Sequence, residues 1–387
     1  MKVLITCGAF EPGFRGGGPV RSVARIIDTA PPSIDVTLVT RDRDLGSATP
    51  YPGLSGRWAQ RGRARVFYLD TARLAQWLRL RRELGSIDLL YVNSLWSPLF
   101  TVLPVLAAWL RLIHVRRVLV APRGELSPGA LALKARKKRL FLALWGRLLR
   151  RMDVTWHASA AREASEIRAV LPWARVEVVP NQVALPFEPL PPSSGSGSVA
   201  RFVFVGRISP KKNLHLALAA LRHVTVPVEF DIYGPIEDRA YWASCESVLG
   251  TARYRGALDA ADVCRTFAQY DAFVFPTLGE NFGHVIAESL SVSCPVVCSA
   301  ETPWTPVLEA GGGVVVRSLT PAALATELDR LATLSPDERH KTRLAAGEAY
   351  RTWRATADGP NILDHILNGV RDHPVDGMRD RGRQAAR

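Results

Sequence analysis

Two glutamates, Glu280 and Glu288, stand in the stretch PTLGENFGHVIAESLSVSCPVV at residues 276–297. The first precedes a predicted helix that begins near residues 281–283, and the second lies inside that helix. Eight residues of an ideal helix differ by about 80° in direction, so both carboxylates can border one pocket. A carboxylate there can accept hydrogen bonds from sugar hydroxyls, and the neighbouring glycines let backbone approach a ligand. The alternative makes Glu280 a helix cap and Glu288 a surface charge, although glutamate is a poor N-cap.

Two cations, Arg207 and Lys212, lie in the loop GRISPKKN, between a strand pattern at 201–205 and a predicted helix. The amino end of a helix offers unpaired N–H groups and partial positive charge. Together with two nearby cations, such an end can bind a diphosphate. A solvated basic loop with no ligand is the alternative interpretation.

Short apolar strand patterns alternate with helical patterns along most of the chain. The strand patterns lie at 2–7, 36–40, 89–93, 118–122, 176–180, 201–205, 228–234, 272–276, 295–299 and 313–316. Such alternation predicts an α/β protein with parallel, doubly wound sheets. We expect two Rossmann-like domains that face each other across a cleft. In open parallel sheets ligands bind beyond the carboxyl ends of the strands, which is where both charged groups occur.

The chain has 387 residues, more than one compact domain usually holds. The segment LPFEPLPPSSGSGSVA at 185–200 is rich in Pro, Gly and Ser and is predicted to be a linker. It separates a first domain at 1–184 from a second domain at 201–360. Residues 361–387 are predicted to form a C-terminal helix and a frayed tail. The apolar run at 99–110 is too short to cross a membrane and is predicted to be a buried helix.

The composition, 47% apolar and 22% charged, is typical of a folded globular protein and excludes a disordered chain. The five cysteines are scattered and lack the paired spacing of a zinc or redox motif. We expect them to be reduced core residues. The start MKVLIT has no secretion-signal pattern, so a cytoplasmic protein is expected.

The motifs VGRISPKKN, YRGAL at 254–258 and the stretch at 276–297 resemble the retaining nucleotide-sugar glycosyltransferases of family four, also called glycosyl transferases group 1. The GGGPVRS loop and VVPNQV at 178–183 are also similar to that family. The resemblance implies the two-domain GT-B fold. It implies that Arg207 and Lys212 hold the donor diphosphate, that Glu288 takes the ribose hydroxyls and that Glu280 contacts the transferred sugar. The other residues that it places at the donor are Gly16, Gly17, Gly18, Asn281, Phe282, Gly283 and His284.

The chemistry implied by the resemblance is transfer of a hexose with retention of configuration. Breaking the bond to the donor phosphate leaves negative charge on the diphosphate, and fixed cations stabilise that charge in the transition state. A metal ion or other cofactor is therefore not expected. In agreement, no Asp-X-Asp triplet stands near a plausible pocket.

The first domain departs from the family pattern in one turn. Many relatives have a His–Gly turn after a first-domain strand, and the comparable turn here is Arg123 and Gly124. We expect Arg123 or Glu125 on the acceptor side of the cleft. His157, which follows a strand-like segment, is a further acceptor-side candidate, and a buried, hydrogen-bonded histidine is the alternative.

The net charge of +14 resides in the first half of the chain. Residues 1–190 hold 29 Lys and Arg against 14 Asp and Glu, and residues 191–387 hold 21 against 22. No acidic residue occurs between Glu125 and Asp153, where cations alternate with apolar residues. The cations of this segment are Lys134, Arg136, Lys137, Lys138, Arg139, Arg147, Arg150 and Arg151.

Such a helix can bind the anionic surface of a membrane. The alternative is an amphipathic helix packed on its own sheet. Nucleic acid is not expected as the partner, because the chain shows none of the common nucleic-acid-binding signatures.

The sequence as a whole predicts a glycosyltransferase on the inner face of the membrane. It would move a hexose from a nucleotide sugar to a lipid-linked glycan in the synthesis of cell-surface polysaccharide, such as exopolysaccharide or lipopolysaccharide. Two alternatives stay open: a sugar-nucleotide epimerase with the same fold, and a non-catalytic membrane scaffold.

Overall fold

The computed structural model describes residues 1–132, 135–192, 199–357 and 359–368. Lys134, the middle of the predicted linker and the predicted frayed tail lie outside the described residues.

The first domain is a parallel sheet of eight strands with helices on both faces. Its elements are β1 (Lys2–Cys7), α1 (Gly18–Asp28), β2 (Asp35–Arg41), β3 (Trp58–Arg61), β4 (Ala64–Leu69), α2 (Leu74–Glu83), β5 (Ser86–Asn93), α3 (Leu103–Trp109), β6 (His114–Ala121), α4 (Pro128–Ala132), α5 (Ala135–Arg151), β7 (Thr155–Ala158), α6 (Ala161–Val170) and β8 (Arg175–Val178). The strand order is β3-β4-β2-β1-β5-β6-β7-β8, and only β3 runs antiparallel to its neighbour.

The apolar strands β1, β5 and β6 form the middle of this sheet, where helices cover both faces. Continuous apolar runs suit a strand that is buried on both sides. One face is covered by α1, and the other by α2, α3, α5 and α6. The edge strand β3 (WAQR) is polar and largely exposed, as befits an edge.

The second domain is a parallel sheet of six strands in the order β11-β10-β9-β12-β13-β14. Its elements are β9 (Ala200–Val205), α7 (Leu214–Leu221), β10 (Val228–Tyr233), α8 (Arg239–Glu246), β11 (Arg253–Tyr254), α9 (Val263–Phe267), β12 (Ala272–Phe275), α10 (His284–Leu290), β13 (Val296–Ser299), α11 (Thr305–Val307), β14 (Gly313–Val316), α12 (Pro321–Ala332), α13 (Pro336–Ala357) and α14 (Ile362–Asn368). The last of these, α14, does not pack on this sheet.

The chain joins the two domains twice. The described part of the predicted linker is fixed to the second domain, since the Leu190 amide donates to the carbonyl of Ser291 at 2.8 Å and the Tyr350 hydroxyl donates to that of Pro186 at 2.6 Å. After α13 the chain returns, and α14 buries four apolar side chains in the core of the first domain. Asn361 secures that return, because its Nδ2 donates to the carbonyl of Ile26 at 2.8 Å.

The predicted fold class, α/β with two doubly wound sheets, is confirmed. Four of the five cysteines are buried, and all five are free thiols. The prediction of a buried helix at 99–110 is wrong in part. A π-helical turn at Pro98–Val102 leads into α3, and Trp109 and Leu110 are 48% and 56% exposed. Within the described ranges, no helix is both long enough and apolar enough to span a bilayer.

Candidate active site

A cleft of about 470 Å³ lies between the carboxyl ends of the two sheets. Most of the predicted site residues line it. They are Gly17, Gly18, Arg123, Arg207, Lys212, Glu280, Asn281, Phe282, Gly283, His284 and Glu288. Gly16, Glu125 and His157 are not part of the lining. Asn181 and Lys211, which were not among the predicted site residues, do line it.

The loop after β9 carries the predicted diphosphate cations. A short 3-10 turn, Pro210–Lys212, points the Lys212 ammonium to the Glu280 carboxylate, with which it forms an ion pair. The Thr277 hydroxyl donates to the same carboxylate oxygen at 3.1 Å. Arg207 donates to Glu237 at 2.7 Å. In the free cleft both cations are therefore neutralised by carboxylates of their own domain.

The turn before α10 places the two glutamates. Gly283 adopts φ +81°, a left-handed conformation that costs glycine little, and α10 begins at the next residue. Trp304 donates through Nε1 to the Phe282 carbonyl and fixes the turn from behind. Glu280 thus precedes the helix, and Glu288 lies just over one turn inside it. The structure brings both to the same cleft.

The first turn of α1 crosses the cleft and contacts α10. Arg21 forms an ion pair with Glu288, and the Ser22 hydroxyl lies 2.9 Å from Nε2 of His284. A Cβ added at Gly18 would stand 3.2 Å from the His284 ring, so the glycine allows this close approach. Burial, with a contribution from the charge of Arg21, lowers the pKa of His284 to about 3. Its imidazole is therefore neutral at neutral pH.

The glycine-rich loop before α1 is held from behind by Asp44. Its carboxylate accepts hydrogen bonds from the amides of Phe14 and Arg15 at 3.1 and 3.3 Å. Asp44 ends an Asp-X-Asp triplet, yet neither of the triplet's aspartates lines the cleft. Gly16 packs towards Val20 instead of the cleft, whereas Gly17, at φ +65°, would place a Cβ 3.7 Å from Nε of Arg207.

Arg123 lies on the first-domain wall in a left-handed turn, φ +53°. Its guanidinium donates to the Asn181 amide oxygen at 2.8 Å, to the Asn93 amide oxygen at 2.8 Å and to the Tyr91 hydroxyl at 2.9 Å. These partners are neutral, and no carboxylate of the described residues forms an ion pair with Arg123. Its positive charge is therefore not neutralised in the free cleft.

The predictions for His157 and Glu125 are corrected by their surroundings. His157 is 2% exposed, and its Nε2 donates to the Val179 carbonyl at 2.9 Å, since a carbonyl can only accept. Nδ1 must then accept from the Tyr91 hydroxyl at 2.7 Å. Burial, aided by the charge of Arg123, lowers the pKa of His157 to about 3. The buried, hydrogen-bonded alternative is the right one, and His157 supports Arg123 through Tyr91.

Glu125 also turns away from the cleft. Its carboxylate accepts from the Ser94 hydroxyl at 2.8 Å and from the Leu95 amide, which fixes the loop after β5. Burial raises the pKa of this carboxyl. A different acid, Glu163, holds the Arg123 turn by accepting from the Gly124 amide at 2.8 Å. Sequence reasoning missed Glu163 because it lies inside α6, far from the turn in sequence.

The basic segment forms α5 as predicted, but its main apolar stripe faces inward. Trp145 and Leu149 are buried against the sheet, so the alternative holds for that stripe. Two other leucines of the helix, Leu140 and Leu144, are 65% and 64% exposed. They lie one turn apart among exposed cations. We call this outer side of α5 the basic face, and its exposed cations are Arg136, Lys137, Arg139, Arg147, Arg150 and Arg151.

Comparisons with known proteins agree with this geometry. Residues 200–333 match the family described as glycosyl transferases group 1. The chain is 30% identical over 118 residues to the O-antigen chain mannosyltransferase B of Escherichia coli, which is 28% of this chain and 31% of that protein. It is 33% identical over 95 residues to a GDP-mannose-dependent alpha-mannosyltransferase of Mycolicibacterium smegmatis, 24% of each chain. The chain thus matches less than a third of the length of either curated relative.

Solved structures are similar over nearly the whole chain. Sucrose-phosphate synthase from Thermosynechococcus elongatus superposes with a TM-score of 0.72 at 16% identity, over 95% of this chain and 98% of that one. Anabaena HepE in complex with UDP and glucose superposes with a TM-score of 0.70 at 16% identity, over 95% and 100%. Identities this low show the fold alone. The protein has the GT-B fold, and the resemblance seen in its sequence is confirmed as a match of residues 200–333, within the second domain, to glycosyl transferases group 1.

Proposed function

We propose that this protein transfers a hexose from a nucleotide-sugar donor to a glycan acceptor, with retention of configuration and without a metal ion. One observation carries the proposal. The cations of the loop after β9 and the glutamates at either side of the start of α10 meet in one cleft, in a domain that matches group 1 glycosyl transferases. A nucleotide sugar carries a diphosphate that the cations can bind and hydroxyl groups that can donate to the glutamates.

Binding of the donor would replace ion pairs that are already present in the cleft. Its diphosphate would take Arg207 and Lys212 from Glu237 and Glu280, with Lys211 as a third cation. A doubly charged diphosphate competes well for such cations. The ribose would bind Glu288. Released from Lys212, Glu280 would accept hydrogen bonds from the sugar hydroxyls, beside the turn at 281–284.

The reaction breaks the bond between the anomeric carbon of the donor sugar and the diphosphate oxygen. Positive charge develops on the sugar ring and negative charge on the departing diphosphate, which Arg207 and Lys212 stabilise. The acceptor hydroxyl forms the new bond on the same face of the sugar. Its proton passes to the departing phosphate oxygen, so no protein base is required. The pKa values of His157 and His284, which burial lowers to about 3, make both imidazoles weak bases, and this is consistent with that route.

The acceptor would approach along the first-domain wall, where Arg123 and Asn181 line the cleft. We propose a lipid-linked glycan as its class, in the synthesis of cell-surface polysaccharide at the inner face of the membrane. The names of relatives support this class: one acts on O-antigen chains, and the structural neighbour WaaG is a glycosyltransferase of lipopolysaccharide biosynthesis.

The basic face of α5 would bring the protein to such an acceptor. Each cation near an anionic membrane contributes about 1 kcal/mol, and the two exposed leucines can enter the interface. Trp109 and Leu110 are exposed on the same side of the sheet, since α3 and α5 both pack on that side. The proposed contact therefore uses the outer surface of these helices and leaves their inner stripe in the core.

Membrane contact is tested by cosedimentation with vesicles that contain anionic phospholipid, compared with zwitterionic vesicles. We expect salt-sensitive binding to the anionic vesicles alone, reduced at least severalfold in a Leu140→Ser, Leu144→Ser double variant. The matched control is Leu344→Ser, which changes an exposed leucine of the second domain. Equal binding to both vesicle types, or unaltered binding by the double variant, would contradict the proposed surface.

The transfer proposal is tested by a thermal-shift screen of nucleoside diphosphates and their sugars, followed by product analysis. A ligand that binds only the folded state raises the melting temperature. GDP-mannose and UDP-glucose belong in the panel because relatives or neighbours act with them or bind them. Donor consumed only with a glycan acceptor supports transfer. A donor isomerised without acceptor would indicate an epimerase, binding without turnover a scaffold, and no binding would refute the proposal.

A further inference from the structure

The two carboxylate oxygens of Glu288 differ in their hydrogen-bond partners, and the proposed ligand explains the difference. Only 11% of its side chain is exposed. One carboxylate oxygen, Oε1, accepts from Arg21, while Oε2 is buried and has no hydrogen-bond partner among the described residues. A buried carboxylate oxygen without a partner is costly, so its site calls for a donor from a ligand.

We propose that Arg21 is a positioning residue for nucleotide recognition: it holds Glu288 from the opposite domain so that Oε2 accepts from a ribose hydroxyl of the donor. This inference rests on the proposed function, because the ribose is the ligand assigned there to Glu288. Arg21 acts through Glu288 and need not contact the nucleotide.

The geometry supports positioning, because two adjacent residues of α1 engage two residues one turn apart on α10. Arg21 pairs with Glu288, and Ser22 lies 2.9 Å from His284. The two contacts set the rotation of one helix against the other. A glutamate side chain has several rotatable bonds, so an anchored Oε1 restricts where Oε2 can lie.

The pair also links recognition to the relative position of the domains, since Arg21 belongs to the first domain and Glu288 to the second. The carboxylate would be oriented only when α1 is docked on α10. Ribose binding would then favour the closed cleft, in which water is excluded from the reaction. A nucleotide could bind Glu288 with the cleft open, but more weakly.

The test compares dissociation constants of GDP and UDP with those of their 2′-deoxy and 3′-deoxy analogues. The wild-type protein should prefer a ribonucleotide by about tenfold or more, as expected for a hydrogen bond to a charged group. In Arg21→Met that preference should fall to about twofold, and Arg21→Lys should restore part of it. Arg25→Met is the matched control, one turn along α1 and outside the cleft lining, and should keep the wild-type ratio.

A merely structural role would weaken all nucleotides equally, so an unchanged ribose preference in Arg21→Met would overturn the inference. Tighter binding by that variant would do the same and would make Arg21 a competitor of the nucleotide. In a Glu288→Gln background, Arg21→Met should have no further effect on the ratio. If wild type binds nucleotides without ribose preference, this inference fails while sugar transfer stands. If it binds none, both fail.

Discussion

The two walls of the cleft use charge differently. On the second-domain wall, Arg207 and Lys212 are each paired with a carboxylate of the same domain. On the first-domain wall, Arg123 is held by neutral oxygens of Asn93, Asn181 and Tyr91. The cations of the second wall can thus exchange a carboxylate for the phosphate of a ligand, whereas Arg123 on the first wall pairs with no carboxylate in the described part of the chain.

The two walls also differ in which segments of the chain form them. The second wall comes from two loops whose residues follow one another in sequence, so its chemistry is contained in short motifs. The first wall joins the ends of β5, β6 and β8, and a buried acid on α6 fixes its turn. Its residues have no common motif, because the sheet alone brings them together.

The largest effect is expected where the second wall loses a cation. Lys212→Ala should lower kcat by about 10² to 10³, the usual loss when one group that stabilises the transition-state charge is removed. Lys341→Ala, an exposed lysine of α13, serves as the control and should leave kcat unchanged. Steady-state kinetics with saturating donor measure the effect. A change in KM alone would show that Lys212 only binds the ground state.

On the first wall, Arg123→Met should lower kcat/KM for the acceptor by about ten- to a hundredfold. Arg123→Lys should rescue little, because one ammonium group cannot reproduce a guanidinium fork that contacts three side chains. Varying acceptor at saturating donor measures the loss. Turnover that stays intact in Arg123→Met would remove Arg123 from the acceptor site.

The junction of the two walls is probed by Gly124→Ala, for which we expect about a tenfold loss in kcat/KM. A Cβ at this position would overlap the side-chain amide of Asn281, and the backbone has φ +80°. Gly129→Ala is matched to it, since a Cβ there meets nothing within 4 Å. Equal activity of the two variants would mean that the walls do not need this close approach.

A smaller effect is expected on the free energy of unfolding at low pH, because burial lowers the pKa of His157. The folded pKa of His157 is about 3, below the ordinary value, so under pH 6.5 only the unfolded chain gains this proton. The stability present above pH 6.5 is lost as the pH falls towards 3, by about 1.4 kcal/mol per pH unit for each such histidine.

Chemical denaturation between pH 7 and 5 measures that slope. His157→Gln should make it shallower, because the group that titrates only in the unfolded state is gone. His223→Gln, at an exposed histidine, should leave the slope as it is. An identical slope in His157→Gln would show that His157 is protonated in the folded protein.

Much of the fold was predictable because parallel strands are apolar on both faces and therefore visible as short apolar runs. The hairpin of β3 and β4 was not predicted. Its strands carry Arg61 and Arg65, and the polar residues of this sheet edge hide the strand pattern. The linker at 185–200 stays a prediction, and the attachment of its first half to the second domain depends on Tyr350 and Ser291, which are distant in sequence.

The site, like the fold, has parts that the sequence predicted and parts that it did not. The loop with Arg207 and Lys212 and the segment with both glutamates were found from the sequence, because spacing along one loop or helix is set locally. The partners of Arg123 were not, and neither was the pairing of Arg21 with Glu288. Each of these contacts joins side chains at least 30 residues apart in sequence, and Arg21 and Glu288 lie in different domains.

By itself the sequence determined the two parallel sheets, the division into two domains and the charged groups of the second-domain wall, since hydrophobic periodicity and helix geometry act over a few residues. Only the tertiary structure decided which first-domain side chains face the cleft, that His157 is a buried support for Arg123, and that α1 docks on α10. Those outcomes depend on how sheets and helices pack, because burial and hydrogen-bond partners arise from residues that the chain brings together over long distances.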